Sequence, residues 1–295
     1  MAEEKWDGKT RGGLAGYKIF VWVLKTFGIN ISYCLLFFVS MYFVPFAPKA
    51  SIAIYRFYRK SVKFNPIKAL FYVWKNYFSL GQVLIDKVAV SCGMGHKYTL
   101  IKPNHDQFLE MLKRGTSIVL VTAHNGNFEA AGHFLDYIDR PVHLIMYQAE
   151  LEQIKNFLSE VKTEQNFTPV VMDDKGSHIF KIAEIIKDKG LFCLHGDRYV
   201  PKSKTLSADF FGEKVPFTYG PFYITSRFDT DAAFVSLVKT GWKEYTLVFE
   251  EMDTSGKPQD VLNQYSSILE DTVKKYPHSW FNYFDFWKKN DNNVN

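Results

Sequence analysis

The sequence predicts an α/β fold: a mostly parallel central sheet flanked by helices, behind an N-terminal membrane-associated helical segment. Three observations predict it. Short apolar, β-branched runs at 118–121, 142–147 and 191–194 alternate with segments of helical period, the pattern of a parallel sheet with helical crossovers. Two of those runs end in ionisable residues, where open α/β sheets place their ligands. Residues 26–48 contain no charge, and 31–46 are strongly apolar.

The chain has 295 residues, enough for one large α/β domain or two small ones. We divide it into an N-terminal membrane-associated helical segment, 1–63, and an α/β domain, 64–295. A content of 23% charged and 47% hydrophobic residues excludes disorder. Aromatic residues reach 17%, which suits a membrane interface or apolar ligand contacts. The net charge of +5 suits anionic lipid or an acidic partner and is too small to argue nucleic acid. The three cysteines are widely spaced, with no zinc-site pattern, and fit a reducing compartment.

Residues 1–11 are polar and predicted to be loose. The apolar stretch is borderline for a helix spanning a bilayer, which takes about 20 residues. Lys and Arg flank it equally on both sides, which favours a segment that dips into one leaflet or lies in the interface, with membrane contact through 13–48. Residues 64–90 read as a helix whose apolar stripe is core or membrane-facing. A short strand at 98–102 follows, then a helix at 104–113 with Asn104 and Gln107 as a capping box. After the strand at 118–121 and its helix come a strand at 142–147, a helix at 151–163 and a strand at 169–172. A helix at 177–189 closed by Gly190 and the strand at 191–194 complete the parallel part. Residues 232–239 and 245–249 read as two closing strands, and 258–276 as a long helix. The Gly and Pro residues between 207 and 221 read as turn formers.

The strand at 118–121 breaks at Thr122-Ala123-His124-Asn125-Gly126-Asn127 and leads into a helix. Glu129 in the first turn of that helix can fold back onto His124. A carboxylate on one ring nitrogen fixes the tautomer and leaves the other nitrogen as a base. The strand at 191–194 likewise ends in His195-Gly196-Asp197-Arg198.

His124, Gly126, Asn127, Phe128 and Glu129 resemble the H-G-N-W/F-E block of the bacterial lipid A late acyltransferase family, within the lysophospholipid acyltransferase superfamily. Asp197 and Arg198 resemble the Asp-Gln or Asp-Arg that ends a later strand there. Pro277, Trp280 and Trp287 fit its terminal Pro/Trp block, and Trp6-Asp7-Gly8-Lys9 resembles a branch linked to aryl polyene and flexirubin-type pigments. The resemblance implies a membrane-associated O-acyltransferase at the cytoplasmic face of a bacterial inner membrane. It would move an acyl chain from a thioester to a hydroxyl of a lipid or glycolipid, with His124 as general base oriented by Glu129. Acyl-carrier protein or acyl-CoA is implied as donor substrate, with no resident cofactor or metal. Gly126, Asn127, Asp197 and Arg198 are expected to contact substrate, the first two through backbone N–H groups at the helix start, Arg198 through a phosphate or the developing oxyanion. Lys181, Lys187, Lys189, Lys202, Lys204 and Lys214 are candidates for docking the acidic carrier.

Two other readings stay open at this point. One is a non-catalytic lipid-binding protein on the same fold. The other is a metal-dependent phosphoesterase built from Asp173, Asp174, His195 and Asp197, for which no metal-ligand spacing exists.

Overall fold

The computed structural model describes residues 13–127, 140–147, 167–172, 176–199, 203–284 and 286–287. Helix α1 (Gly13–Phe46) bends at Gly28, whose φ of 83° and ψ of −178° interrupt the helix. Helix α2 (Pro48–Lys60) starts on a proline, whose fixed φ suits the first turn. Helix α3 (Pro66–Ala89) is capped by Asn65, which accepts the Lys68 N–H at 2.8 Å.

A π-turn at Val90–Met94 and a 3₁₀ turn at Gly95–Lys97 lead to β1 (Thr99–Ile101), α4 (His105–Lys113) and β2 (Ser117–Thr122). Asn104 does not cap α4 as expected. Its amide Nδ2 donates instead to the Phe249 carbonyl at 2.9 Å, tying the helix start to the sheet. Next come β3 (Val142–Tyr147), β4 (Thr168–Met172), α5 (Ser177–Lys187) and β5 (Leu191–His195). The helix expected at 151–163 lies outside the described residues, as does the tail from Lys288.

Residues 205–218 hold a turn at Gly212, as expected, and on either side of it strands that were not expected. They form an antiparallel hairpin of β6 (Thr205–Phe210) and β7 (Glu213–Thr218). Phe211 and Gly212 both have positive φ, 52° and 77°, which a two-residue hairpin turn requires and Gly tolerates best. Helix α6 (Gly220–Arg227), the long pair β8 (Thr230–Gly241) and β9 (Glu244–Met252), and α7 (Pro258–Lys275) complete the chain.

The seven-stranded sheet has the order β1-β9-β8-β2-β5-β3-β4. All its pairings are parallel except β8 with β9. The mostly parallel α/β architecture read from the sequence is therefore the observed one. Strand β2 is buried throughout, as a strand covered on both faces should be. Val119 and Val121 join one core layer with α2, α7 and the aromatic Phe210, Phe217 and Trp280. Ile118 and Leu120 join the other, with Leu24, Tyr33 and Leu36 of α1 and Val88 of α3. The apolar N-terminal helix thus packs on the same body as the sheet.

Candidate active site

Strands β2 and β5 are parallel neighbours, with Thr122 opposite His195. Their carboxyl ends bring His124 and Asp197 together across 73 residues of sequence. Asp197 holds His124 with both oxygens. Oδ1 meets the ring Nδ1 at 2.8 Å, and Oδ2 accepts the His124 backbone N–H at 3.0 Å. Gly196 makes this approach possible. A Cβ there would lie 2.8 Å from the Tyr265 ring and 2.9 Å from Val121. The Gly196 N–H and the Tyr265 hydroxyl both bond the Thr122 carbonyl, at 2.8 and 2.9 Å.

Asp197 is buried at 1% exposure, whereas His124 keeps 22%. Burial alone would raise the Asp197 pKa. The His124 charge and hydrogen bond, helped by Arg198 and His195, overcome this and hold the carboxyl well below the usual range. An ionised Asp197 keeps the proton of neutral His124 on Nδ1 and turns Nε2 into the basic nitrogen. His195 stacks on His124, ring centres 4.3 Å apart and planes 28° from parallel. Burial pushes its pKa well below the usual imidazole range, aided by His124 and Arg198 and opposed by Asp197, so His195 is neutral at neutral pH.

The loop that carries His124 is clamped from two sides. Ser236 Oγ on β8 donates to the Asn125 carbonyl at 2.7 Å, and the Asn127 N–H donates to the Leu237 carbonyl at 2.7 Å. On the other side the loop pairs with the C-terminal segment. The Gly126 N–H donates to the Ser279 carbonyl and the Phe281 N–H to the His124 carbonyl, each at 2.9 Å. Gly126 has φ of 75°, and a Cβ there would sit 2.2 Å from the Leu237 oxygen. Only glycine fits. Trp280, 2% exposed, anchors this segment among Phe57, Phe210 and Phe286. The terminal aromatic block is therefore core that supports the site loop.

The N–H groups of Gly126 and Asn127, expected to face substrate, donate to the Ser279 and Leu237 carbonyls. The ring nitrogen expected to face Glu129 is occupied by Asp197. Glu129 itself lies outside the described residues, together with Asp173, Asp174 and Lys202. Arg198 reaches toward the C-terminal segment: Nη2 donates to the Phe281 carbonyl at 2.7 Å, and its guanidinium lies 5.6 Å from the centre of the Phe284 ring. Among the described residues no three His, Cys, Asp or Glu side chains converge as metal ligands. The sequence reading placed Asp197 in the pocket but missed it as the partner of His124. The visible signal was a carboxylate just past a second strand of the same type.

No curated protein matches the chain significantly. The family model for the bacterial lipid A biosynthesis acyltransferases matches residues 78–289, which include the strand ends, the His124 loop and the Trp280 segment. That match supports acyl transfer to membrane lipid as the general activity. With its ordered blocks and a parallel sheet presenting them together, the chain belongs to the bacterial lipid A biosynthesis acyltransferase family.

Proposed function

We propose that the protein transfers a fatty acyl chain from a thioester to a hydroxyl of a lipid or glycolipid, with His124 as general base. The observation that carries this reading is the clamp of Asp197 on His124 at the carboxyl ends of β2 and β5. His124 Nε2 takes the hydroxyl proton as the oxygen attacks the thioester carbonyl. The tetrahedral centre collapses, the C–S bond breaks, and the thiolate leaves with the proton now held by His124. A thiol of ordinary pKa, about 8.5, is a good leaving group and needs little help. Asp197 stabilises the imidazolium formed between these steps. Arg198 is our choice for countering negative charge on the oxyanion or on a phosphate of the acceptor. Glu129 stays in the proposal as the acid of the H-x4-E motif, and Glu129→Ala is expected to cost activity.

The donor is proposed to be acyl-carrier protein or acyl-CoA. Lys187, Lys189 and Lys214 are exposed, while Lys181 pairs with Glu184 at 2.6 Å and Lys204 lies over the Tyr219 ring. Reversing the exposed three to Glu is expected to slow transfer from the acidic carrier more than from acyl-CoA. The proposed setting is the cytoplasmic face of the inner membrane.

The test is mass spectrometry of lipids from the native host expressing wild type or His124→Ala. An acylated species present only with wild type supports the reading. Its mass difference gives the acyl chain, and its parent decides between a lipid A-like, phospholipid or polyene acceptor. Identical extracts from two folded, membrane-bound proteins favour lipid binding without catalysis.

A further inference from the structure

Between residues 13 and 85 the chain contains no Asp or Glu, but nine Lys or Arg. At the chain's overall frequency of 31 acidic residues in 295, a stretch this long would carry about eight. The stretch ends at Asp86, and it coincides with α1, α2 and all but the last turn of α3.

Two of these helices bury polar side chains among their core residues and expose large apolar ones. Along α1 the buried side chains include Ser32, Tyr33 and Ser40, while Phe38, Met41, Tyr42 and Phe46 are exposed, Phe38 at 69%. Along α3 the buried face carries Asn76, Ser79, Gln82 and Asp86, spaced by three or four residues as one helix face requires. Its first turns expose Ile67 at 85%, with Leu70 and Phe71. The two bare faces adjoin. Phe37 of α1 lies edge-on to Trp74 of α3, 5.4 Å between centres, the Trp74 indole N–H donates to Ser40 Oγ, and Trp74 in turn contacts Phe71. An apolar surface of this extent is unusual on a protein that faces water alone.

The opposite face of α3 belongs to the site. Asn76 Nδ2 donates to the Trp280 carbonyl at 3.0 Å, in the segment that clamps the His124 loop. The Tyr77 ring stacks on Tyr283, 5.7 Å between centres. Helix α3 is thus a wall about one helix diameter thick, roughly 10 Å, between the bare apolar face and the site loop.

We propose that the first half of α3 enters the membrane together with α1, and that this joint face seats in one leaflet of an anionic bilayer. Helix α1 is held to the body from Leu24 to Phe43, so it meets lipid with one side, as an in-plane helix does, and not as a lone rod. The occupant is fixed by charge. Arg59, Lys60, Lys63 and Lys68 are exposed beside the apolar face, with no acidic residue between 13 and 85 to balance them, and the surface they suit is one of anionic headgroups. This extends membrane contact beyond residues 13–48 and puts lipid next to the wall of the site. It rests on the membrane-lipid reading of the protein only for its meaning, since the test measures no turnover.

The experiment attaches an environment-sensitive fluorophore to a cysteine at position 38, 71 or 180, with the three native cysteines replaced by Ala. Phe180 is a control, as it is exposed and apolar on α5, a helix that packs on β2, β4 and β5. The labelled proteins are mixed with vesicles of phosphatidylcholine with or without phosphatidylglycerol. Labels at 38 and 71 are expected to become several-fold brighter and shielded from an aqueous quencher, and the label at 180 not. Adding Lys60→Glu, Lys63→Glu and Lys68→Glu should weaken association with the anionic vesicles by about tenfold or more and leave neutral vesicles little changed. A label at 38 shielded and one at 71 in water would overturn the joint face while leaving membrane contact through α1 intact. Both labels in water would overturn membrane contact as well. Equal association of wild type with both vesicle types would overturn the anionic preference.

Discussion

Asp197→Asn is expected to lower turnover about 10³- to 10⁴-fold while the protein stays folded. The carboxylate is the acceptor for both the His124 ring and the His124 backbone N–H. An amide cannot accept at both positions. If it turns its NH₂ toward the ring, it forces the proton onto Nε2, the nitrogen that must be the base. It also removes the negative charge that stabilises the imidazolium. His124→Ala removes the base itself and should cost about 10²- to 10⁴-fold by general-base loss alone. The double variant should be little worse than either single, because the two groups act as a unit. Turnover that multiplies down in the double variant would show that Asp197 acts apart from His124. Asp197 titrates well below the usual carboxylate range, so its stabilising contribution is present above the unfolded-state pKa, about 3.9. It is lost as pH falls through the depressed folded value. The clamp therefore holds across the neutral and mildly acidic range.

The second large effect concerns stability. Asp86 and Lys239, at 0% and 4% exposure, form an ion pair of 2.7 Å in the body of the protein. Three tyrosine hydroxyls converge on the same carboxylate: Tyr33 from α1, Tyr98 from the turn before β1, and Tyr245 from β9. Lys239 also donates to the Tyr33 hydroxyl and the Trp242 carbonyl, each at 2.9 Å. Burial pulls the Lys239 ammonium below the usual lysine range, and Asp86 opposes that shift. Removing one charge strands the other in a place water does not reach. Asp86→Leu or Lys239→Met is expected to destabilise the fold by about 3–5 kcal/mol. The double variant should cost clearly less than the sum, because it buries no lone charge, although it still leaves tyrosine hydroxyls without their acceptor. Unfolding of the detergent-solubilised protein would measure this. Additive losses would mean that the pair is not coupled. The network also touches the site, since Asn127 Nδ2 lies 3.4 Å from both the Val83 carbonyl and the Tyr245 hydroxyl.

The parts of the fold that were legible are those whose signal is local. β2 and β5 read as buried strands because both are short, apolar and closed by ionisable residues. The long helix now seen at Pro258–Lys275 read as a helix from its period and from Pro258 at its start. The strands β6 and β7 were not legible because Pro216 marks a loop more often than a strand, whereas Gly212 read as a turn former and sits in the hairpin turn. Pro216 fits here because this two-strand sheet is all edge. The site was legible in half. His124 stood out, but its acid partner was sought five residues away, whereas Asp197 comes from the next strand of the sheet. Which strands are neighbours is decided by packing, and spacing along the chain carries no trace of it. Asp86 had a signal that the pattern of apolar residues hid: it is the first carboxylate after a long stretch without any. A carboxylate placed on an otherwise apolar helix must find partners, and Lys239 and the tyrosines are those partners.

The most direct test is transfer by purified protein in vesicles that contain the host's extracted lipids. A radiolabelled acyl chain is supplied as acyl-carrier-protein thioester and, separately, as acyl-CoA. The account predicts that wild type moves the label into lipid from at least one donor, and that Asp197→Asn and His124→Ala lose nearly all of that transfer while both variants remain folded by circular dichroism. Equal transfer by wild type and His124→Ala would contradict it.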